Sequence, residues 1–307
     1  MSDFCKRNLF LGFSLLLLNA CSGDGPTPGS PNASPNEQPP ISDSALYSEA
    51  ARQGASRQND TGIQFSGNHP RTLNTGCQPG IIDPTDEWLM GEVFEALTFI
   101  GQDCESGRDA SASDPSDGHA GFAFAKIAND GTELPADAAE WSCVLDKVTG
   151  LIWEAKVPAD GVKGNGGLHD ADDVFTWYNT DATANGGNIG NWNRDTADCA
   201  GYTESTPESF CNTQSFAARV AARGLCSYSD WRVPTLRELT SIVNFGRDQP
   251  ALDLAYFPNL VSWDYWSSHP AVEFPEHARL MNFRLGLASV GMRMDRNHVV
   301  LVRGPSF

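Results

Sequence analysis

Apolar and polar positions follow a regular pattern in only some stretches of this chain. Residues 9–18, LFLGFSLLLL, form one apolar run behind Lys6 and Arg7. A membrane-spanning helix needs ~20 apolar residues; this run is about half that, the length of a signal-peptide core. Residues 22–40 are proline-rich without a large apolar side chain, the composition of a disordered tether, and 41–59 stay polar. From Asp60 the text changes. NDTGIQFSGN (59–68) alternates apolar residues with turn formers, as a strand with turns does. WLMGEVFEALTFIG (88–101) is apolar enough to be buried, and its spacing fits a short helix or two strands equally. A polar Asp/Ser/Gly loop then leads into an alternating strand at Phe122, Phe124 and Ile127. WSCVLDKVTGLIWE (141–154) predicts two short strands around a turn at 146–150, with Val144, Leu145, Leu151, Ile152 and Trp153 in the core.

Residues 158–200 are rich in Gly, Asn and Asp and carry one aromatic cluster, FTWY (175–178). A long irregular stretch inside a compact domain is uncommon, and such loops are often functional or disordered. Two helices follow. TQSFAARVAARGL (213–225) gathers Phe216, Ala217, Val220 and Ala221 on one face, with Gly224 at its end. In SYSDWRVPTLREL (227–239), Thr235 and Glu238 have the spacing of a capping box, and Leu236, Leu239, Ile242 and Val243 make the stripe of a helix ending near Gly246. Strands at 265–269, 278–286 and 298–304 close the chain. The fold class is α+β: mainly antiparallel short strands, two helices and long loops. The expected organisation is a signal peptide (1–20), a lipid-anchored disordered linker (21–59), a β-rich extension (60–139) and a final domain (140–304).

Composition sharpens this picture. Charged residues make up only 20% against 40% hydrophobic, with 29 Gly and 19 Pro, which suits a loop-rich globular protein. The net charge of −18 makes nucleic acid a poor partner. The acidity is concentrated before residue 212; the C-terminal third is nearly neutral. Leu18-Asn19-Ala20-Cys21 resembles a bacterial lipobox. That likeness implies a diacylglyceryl group on the Cys21 thiol, cleavage just before it and the membrane as a partner; Ser22 favours the outer membrane over inner-membrane retention. With Cys5 lost in the leader, an even set of cysteines remains, without C-x-x-C spacing, and in an exported protein this reads as a disulfide-braced fold. The expected pairs are Cys77–Cys104, Cys199–Cys211 and Cys143–Cys226.

Candidate chemistry is sparse. The sequence carries no G-x-S-x-G, H-E-x-x-H, P-loop or G-x-G-x-x-G motif, and the six His are scattered. Asp170, Asp172 and Asp173 in HDADD (169–173) offer the hard oxygens Ca²⁺ prefers, without EF-hand spacing; a solvated acidic loop and no cofactor is the expectation. Trp177, Tyr178, Trp192 and Tyr202 lie in or beside the long loop. Their rings could stack on a sugar or pin the loop to the core. Trp153, Trp231 and Trp266 sit among apolar neighbours and are expected in the core.

CVLDKVTGLIWE (143–154), FTWYN (175–179), GLCSYSDWRVPTLREL (224–239), YFPN (256–259), YWSS (265–268) and VVLVRG (299–304) occur in the order seen in the Lcl C-terminal domain family, named for a collagen-like bacterial surface adhesin. Upstream, DTGI (60–63) and residues 101–124 resemble lipoproteins carrying that domain, so the likeness spans about residues 60–304. It implies a C-type-lectin-like fold, with WRVPTLREL similar to the helix entry of the formylglycine-generating branch. It also implies a cell-surface role, with glycan or matrix binding known for some members. The chain lacks the Gly-x-y collagen repeat, and its charge is not that of a sulfated-glycan binder. The resulting expectation is a non-catalytic surface lipoprotein whose ectodomain binds carbohydrate or another surface protein. The alternatives are a structural component of the envelope and an enzyme of the formylglycine-generating superfold.

Overall fold

The computed structural model describes residues 59–64, 66–67, 73–74, 108 and 116–306. The expected leader, the expected lipidation site Cys21, the expected tether up to residue 58, the 88–101 segment and the expected Cys77–Cys104 pair lie outside the described residues. In chain order the strands are β1 (Ser66–Gly67), β2 (Leu73–Asn74), β3 (Phe124–Ile127), β4 (Glu133–Leu134), β5 (Cys143–Asp146), β6 (Ile152–Glu154), β7 (Asp264–Pro270), β8 (His277–Asn282), β9 (Leu287–Met292) and β10 (Val302–Arg303). The helices are α1 (Thr213–Arg223) and α2 (Leu236–Ser241). All strand pairings are antiparallel, in a β1–β2 ribbon, a sheet of order β10-β6-β5-β3-β4 and a sheet of order β7-β8-β9. β3 and β4, which precede residue 139, share a sheet with the strands that follow it. Among the described residues no helix is long and apolar enough to cross a membrane.

Strands β3, β5, β6 and β10 are buried on both faces, so their side chains serve two cores. Side chains alternate across a strand. Ile127, Cys143, Leu145 and Ile152 therefore enter one core with Phe216 and Val220 of α1. Phe124, Val144 and Trp153 enter a second core with Leu239 of α2 and Ile242. The smaller sheet divides in the same way: Trp266 and Leu280 serve the first core, Tyr265 and Met281 the second. The turn between β5 and β6 is fixed by Asp146, whose Oδ1 accepts the amides of Val148 and Thr149 at 2.9 and 3.0 Å.

Both helix entries are capped. Asn212 accepts from Ser215 N ahead of α1, and Thr235 and Glu238 form the expected box on α2. The second helix stops earlier than its stripe suggests. Asn244, fully buried, turns the chain by donating its amide to Ala251 O at 3.0 Å and accepting from Gly246 N at 2.9 Å. Ile242 and Val243 remain in the core but outside the helix. The stretch expected as one strand at 278–286 ends at Asn282, turns at Gly286 (φ 68°) and returns as β9, a strand that its small residues concealed. In 298–304 only Val302 and Arg303 join the ladder, because Leu301 N–H goes instead to Glu154 Oε2 at 2.9 Å. Trp153, Trp231 and Trp266 are 0–4% exposed. Two of the expected disulfides, Cys143–Cys226 and Cys199–Cys211, are formed, which marks the domain as extracytoplasmic.

Candidate functional site

The long Gly/Asn/Asp loop is folded by its own aspartates. Asp170 accepts the amides of Gly166 (2.8 Å) and Asp172 (2.9 Å). Asp172 accepts those of Asp160 (2.7 Å) and Gly161 (2.8 Å). Asp173 accepts those of Gly164 (2.7 Å) and Ala200 (2.8 Å). These carboxylates cross-link the loop rather than converge on a point, and among the described residues no three His, Cys, Asp or Glu side chains gather as a metal site would require. Burial pushes the Asp173 carboxyl up to about 6 against the pull of its two amide donors.

Beyond these staples the loop presents an aromatic ledge. The Cys199–Cys211 disulfide brings the end of the loop to the start of α1. Phe210, 3% exposed, lies beside it, with the Trp192 ring 5.1 Å away and the Tyr202 ring 5.9 Å away between centroids. Trp192 is held from both ends of its own peptide unit. Thr176 Oγ1 donates to Asn191 O at 2.7 Å, and Asn212 Nδ2, from the cap of α1, donates to Trp192 O at 2.8 Å. Yet the side chain is 53% exposed. An open indole is usually mobile; this one is clamped at its backbone and backed by a buried ring. Two polar atoms belong to the same neighbourhood. The Tyr202 hydroxyl and Asn191 Oδ1 are buried without a hydrogen-bond partner among the described residues.

The four aromatics nominated by the sequence thus separate. Trp192 and Tyr202 meet on Phe210. Trp177 is 1% exposed, donates Nε1–H to Ser267 O at 2.8 Å and lies 4.2 Å beneath the Arg293 guanidinium, so packing takes its whole ring. Tyr178 is half-buried, and its backbone is tied to Thr213 Oγ1 in both directions, at 3.0 and 2.8 Å. Phe210, the ring beneath the ledge, escaped the sequence reading; its position directly before Cys211 is the signal that could have found it.

A second feature has no counterpart in the sequence reading. A cleft of about 640 Å³ runs between the exit of β6 and residues 256–260, with Trp141, Glu154, Lys156 and Asn259 among its lining. Glu154 is fully buried there and meets Lys156 Nζ at 2.9 Å, His169 Nδ1 at 2.8 Å and Leu301 N at 2.9 Å. Burial alone would raise its carboxyl, but Lys156 and His169 hold it below the usual range. His298 lies close by, with Nδ1 3.1 Å from Asp173 O; burial and the nearby Lys156 ammonium push it down to about 4. The Glu154 carboxylate ties β6 to the 169 and 301 segments through His169 and Leu301 N, with the Lys156 ammonium beside it.

A family model described as the Lcl C-terminal domain matches residues 142–303, just over half of the chain. No curated protein matches, and no solved structure does.

Proposed function

Because the chain belongs to the Lcl C-terminal domain family, we propose that it is a non-catalytic surface lipoprotein whose ectodomain binds carbohydrate on the Trp192 ledge. In this reading the lipid on Cys21 holds the protein at the outer membrane, and the fold is C-type-lectin-like. One observation carries the assignment of the surface: Trp192 is a clamped indole open to solvent. A rigid aromatic face stacks on the C–H face of a pyranose at little cost in side-chain entropy. Exposed Asp195, Glu204 and Glu208 stand in the same loops, so neutral sugars suit the surface better than sulfated ones. The contacts of buried Glu154 with Lys156, His169 and Leu301 N support a structural part for these charges.

The test is a glycan array probed with the lipid-free mature chain, with and without Ca²⁺. Trp192→Ala should abolish a signal that wild type gives. A silent array beside a reproducible protein partner in a pull-down would replace this reading with that of an envelope scaffold.

A further inference from the structure

We infer that the Cys199–Cys211 disulfide is a thiol-exchange site, at which a small thiol bonds to Cys211 and Cys199 leaves as a thiolate facing the Arg219 guanidinium. The two disulfides of the described residues differ in their surroundings. Cys143 and Cys226 are both 0% exposed. Cys211 is 8% exposed, the most open of the four. Its partner has a charged neighbour: Arg219, on α1, brings Nη2 to 3.3 Å from Cys199 Sγ.

Arg219 is poorly matched by what it touches. Nη1 donates to Ala200 O at 2.5 Å, while Nη2 meets only a sulfur, which is a weak acceptor. Nε is buried without a hydrogen-bond partner among the described residues. Asp173 acts on the guanidinium through space, but its oxygens accept the amides of Gly164 and Ala200. Burial accordingly lowers the Arg219 guanidinium from its ordinary value. Arg232 and Arg303 of the same fold each hold a carboxylate through two hydrogen bonds. Arg219 lacks such a counter-ion while the disulfide is closed, and a thiolate at Cys199 would supply it.

The exchange runs in two steps. A thiolate RS⁻ attacks Cys211 Sγ; the RS–Sγ bond forms as the Cys199–Cys211 bond breaks, and the electron pair departs on Cys199 Sγ. A thiol of lower pKa leaves faster, and a neighbouring guanidinium lowers a thiol's pKa. The contact also chooses the sulfur attacked, because attack on Cys199 would expel Cys211, which lacks it. A second RS⁻ then attacks the RS sulfur of the mixed disulfide, RSSR forms and Cys211 leaves as a thiolate. Two small thiols are oxidised to one disulfide, and the two cysteines are reduced. The covalent tie between the end of the long loop and the start of α1 is thereby opened.

The experiment treats the folded, lipid-free mature chain with glutathione, quenches with iodoacetamide and maps each cysteine by mass spectrometry. Cys199–Cys211 should open at least about tenfold faster than Cys143–Cys226, with glutathione on Cys211 in the intermediate. Arg219→Gln should slow that opening about tenfold, and Arg219→Lys should restore most of it. A variant that only loosened the fold would open faster, not slower. Cys211→Ser gives a reading that leaves Arg219 in place: the pH dependence of alkylation at Cys199 should titrate below about 7.5, against ~8.5 for a free thiol. Equal opening of the two disulfides, glutathione on Cys199 instead of Cys211, an unslowed Arg219→Gln, or an ordinary titration of Cys199 overturns the proposal.

Discussion

Arg232 and Glu238 grip each other twice: Nη1 meets Oε2 at 2.8 Å and Nη2 meets Oε1 at 2.7 Å. The same Glu238 carboxylate accepts Thr235 N at 2.7 Å, so it closes the cap of α2 and anchors the strand-like segment before it in one contact. Arg232 reaches on to Gly304 O at 3.2 Å, next to β10. The stretch WRVPTLREL is therefore a junction between helix, sheet edge and chain end. Glu238→Ala leaves the guanidinium without its partner and should cost about 3 kcal/mol. Arg232→Lys keeps the charge but loses the fork, and should cost about 1 kcal/mol. Urea unfolding of both variants checks the order; equal losses would contradict it.

Trp177 and Trp192 provide the sharpest contrast between packing and recognition. Trp177→Ala empties a buried indole site and should cost about 3–5 kcal/mol. Trp192→Ala removes a ring that is 53% exposed, so its melting temperature should fall only slightly while glycan binding is lost. If Trp192→Ala unfolds the domain as badly as Trp177→Ala, the ledge is a core element and the binding assignment fails.

The two disulfides should separate in the same way. Cys143–Cys226 closes 83 residues and Cys199–Cys211 closes 12. Loop-closure entropy assigns them about 4–5 and about 3 kcal/mol. Cys199→Ser with Cys211→Ser should therefore be the milder change in thermal unfolding, yet the more damaging to glycan affinity, because Phe210 and the cap of α1 lose their tie to the loop.

What the chain disclosed before its structure follows from which forces are local. The capping box, the Asn212-to-Gly224 helix and the 146–150 turn are written within a few residues of themselves. The disulfide between Cys199 and Cys211 joins near neighbours along the chain. β9 and the short end of α2 were hidden because their own residue types do not announce them: small residues fill much of β9, and α2 is stopped by the turn in which Asn244 N donates to Ala251 O. The ledge was half legible. Aromatic type marked Trp192 and Tyr202, but only the fold separates them from Trp177, which precedes Trp192 by 15 residues and faces inward.

The acid limb of the stability curve should carry the signature of His298. Its folded value is about 4, lowered by burial and by Lys156; unfolded it returns to ~6.5. Between these values the unfolded chain holds a proton that the folded chain lacks, so acidification costs stability, about 2 kcal/mol after allowance for solvent screening. Asp146 and Asp173 act in the opposite sense. Burial raises each to about 6, so their ionisation costs stability as pH climbs from about 4 to 6. Wild type therefore shows a partly cancelled slope. His298→Asn should lose less stability than wild type between about pH 7 and pH 4.5 in denaturant unfolding. Asp146→Asn should lose more on the same change, since it no longer gains from protonation. Identical slopes for all three proteins would refute the assignment.

Gly187 and Gly190 form an internal control for how tightly the ledge is seated. Both adopt left-handed backbone, at φ 84° and 83°, so any side chain carries the same torsional penalty of about 1–2 kcal/mol. Their surroundings differ. A Cβ on Gly187 meets nothing within 4 Å, whereas one on Gly190 would stand 2.2 Å from Trp177 O and 3.0 Å from its ring. Gly190→Ala must therefore push the 190–192 segment away from Trp177, breaking the 3.0 Å bond from Asn191 N to Trp177 O that precedes Trp192. It should cost at least about 3 kcal/mol and weaken glycan binding, while Gly187→Ala should cost only the torsional part. Matched melting temperatures for the two variants would mean that the segment before Trp192 yields freely, and a ledge that yields freely would not present a rigid face to a sugar.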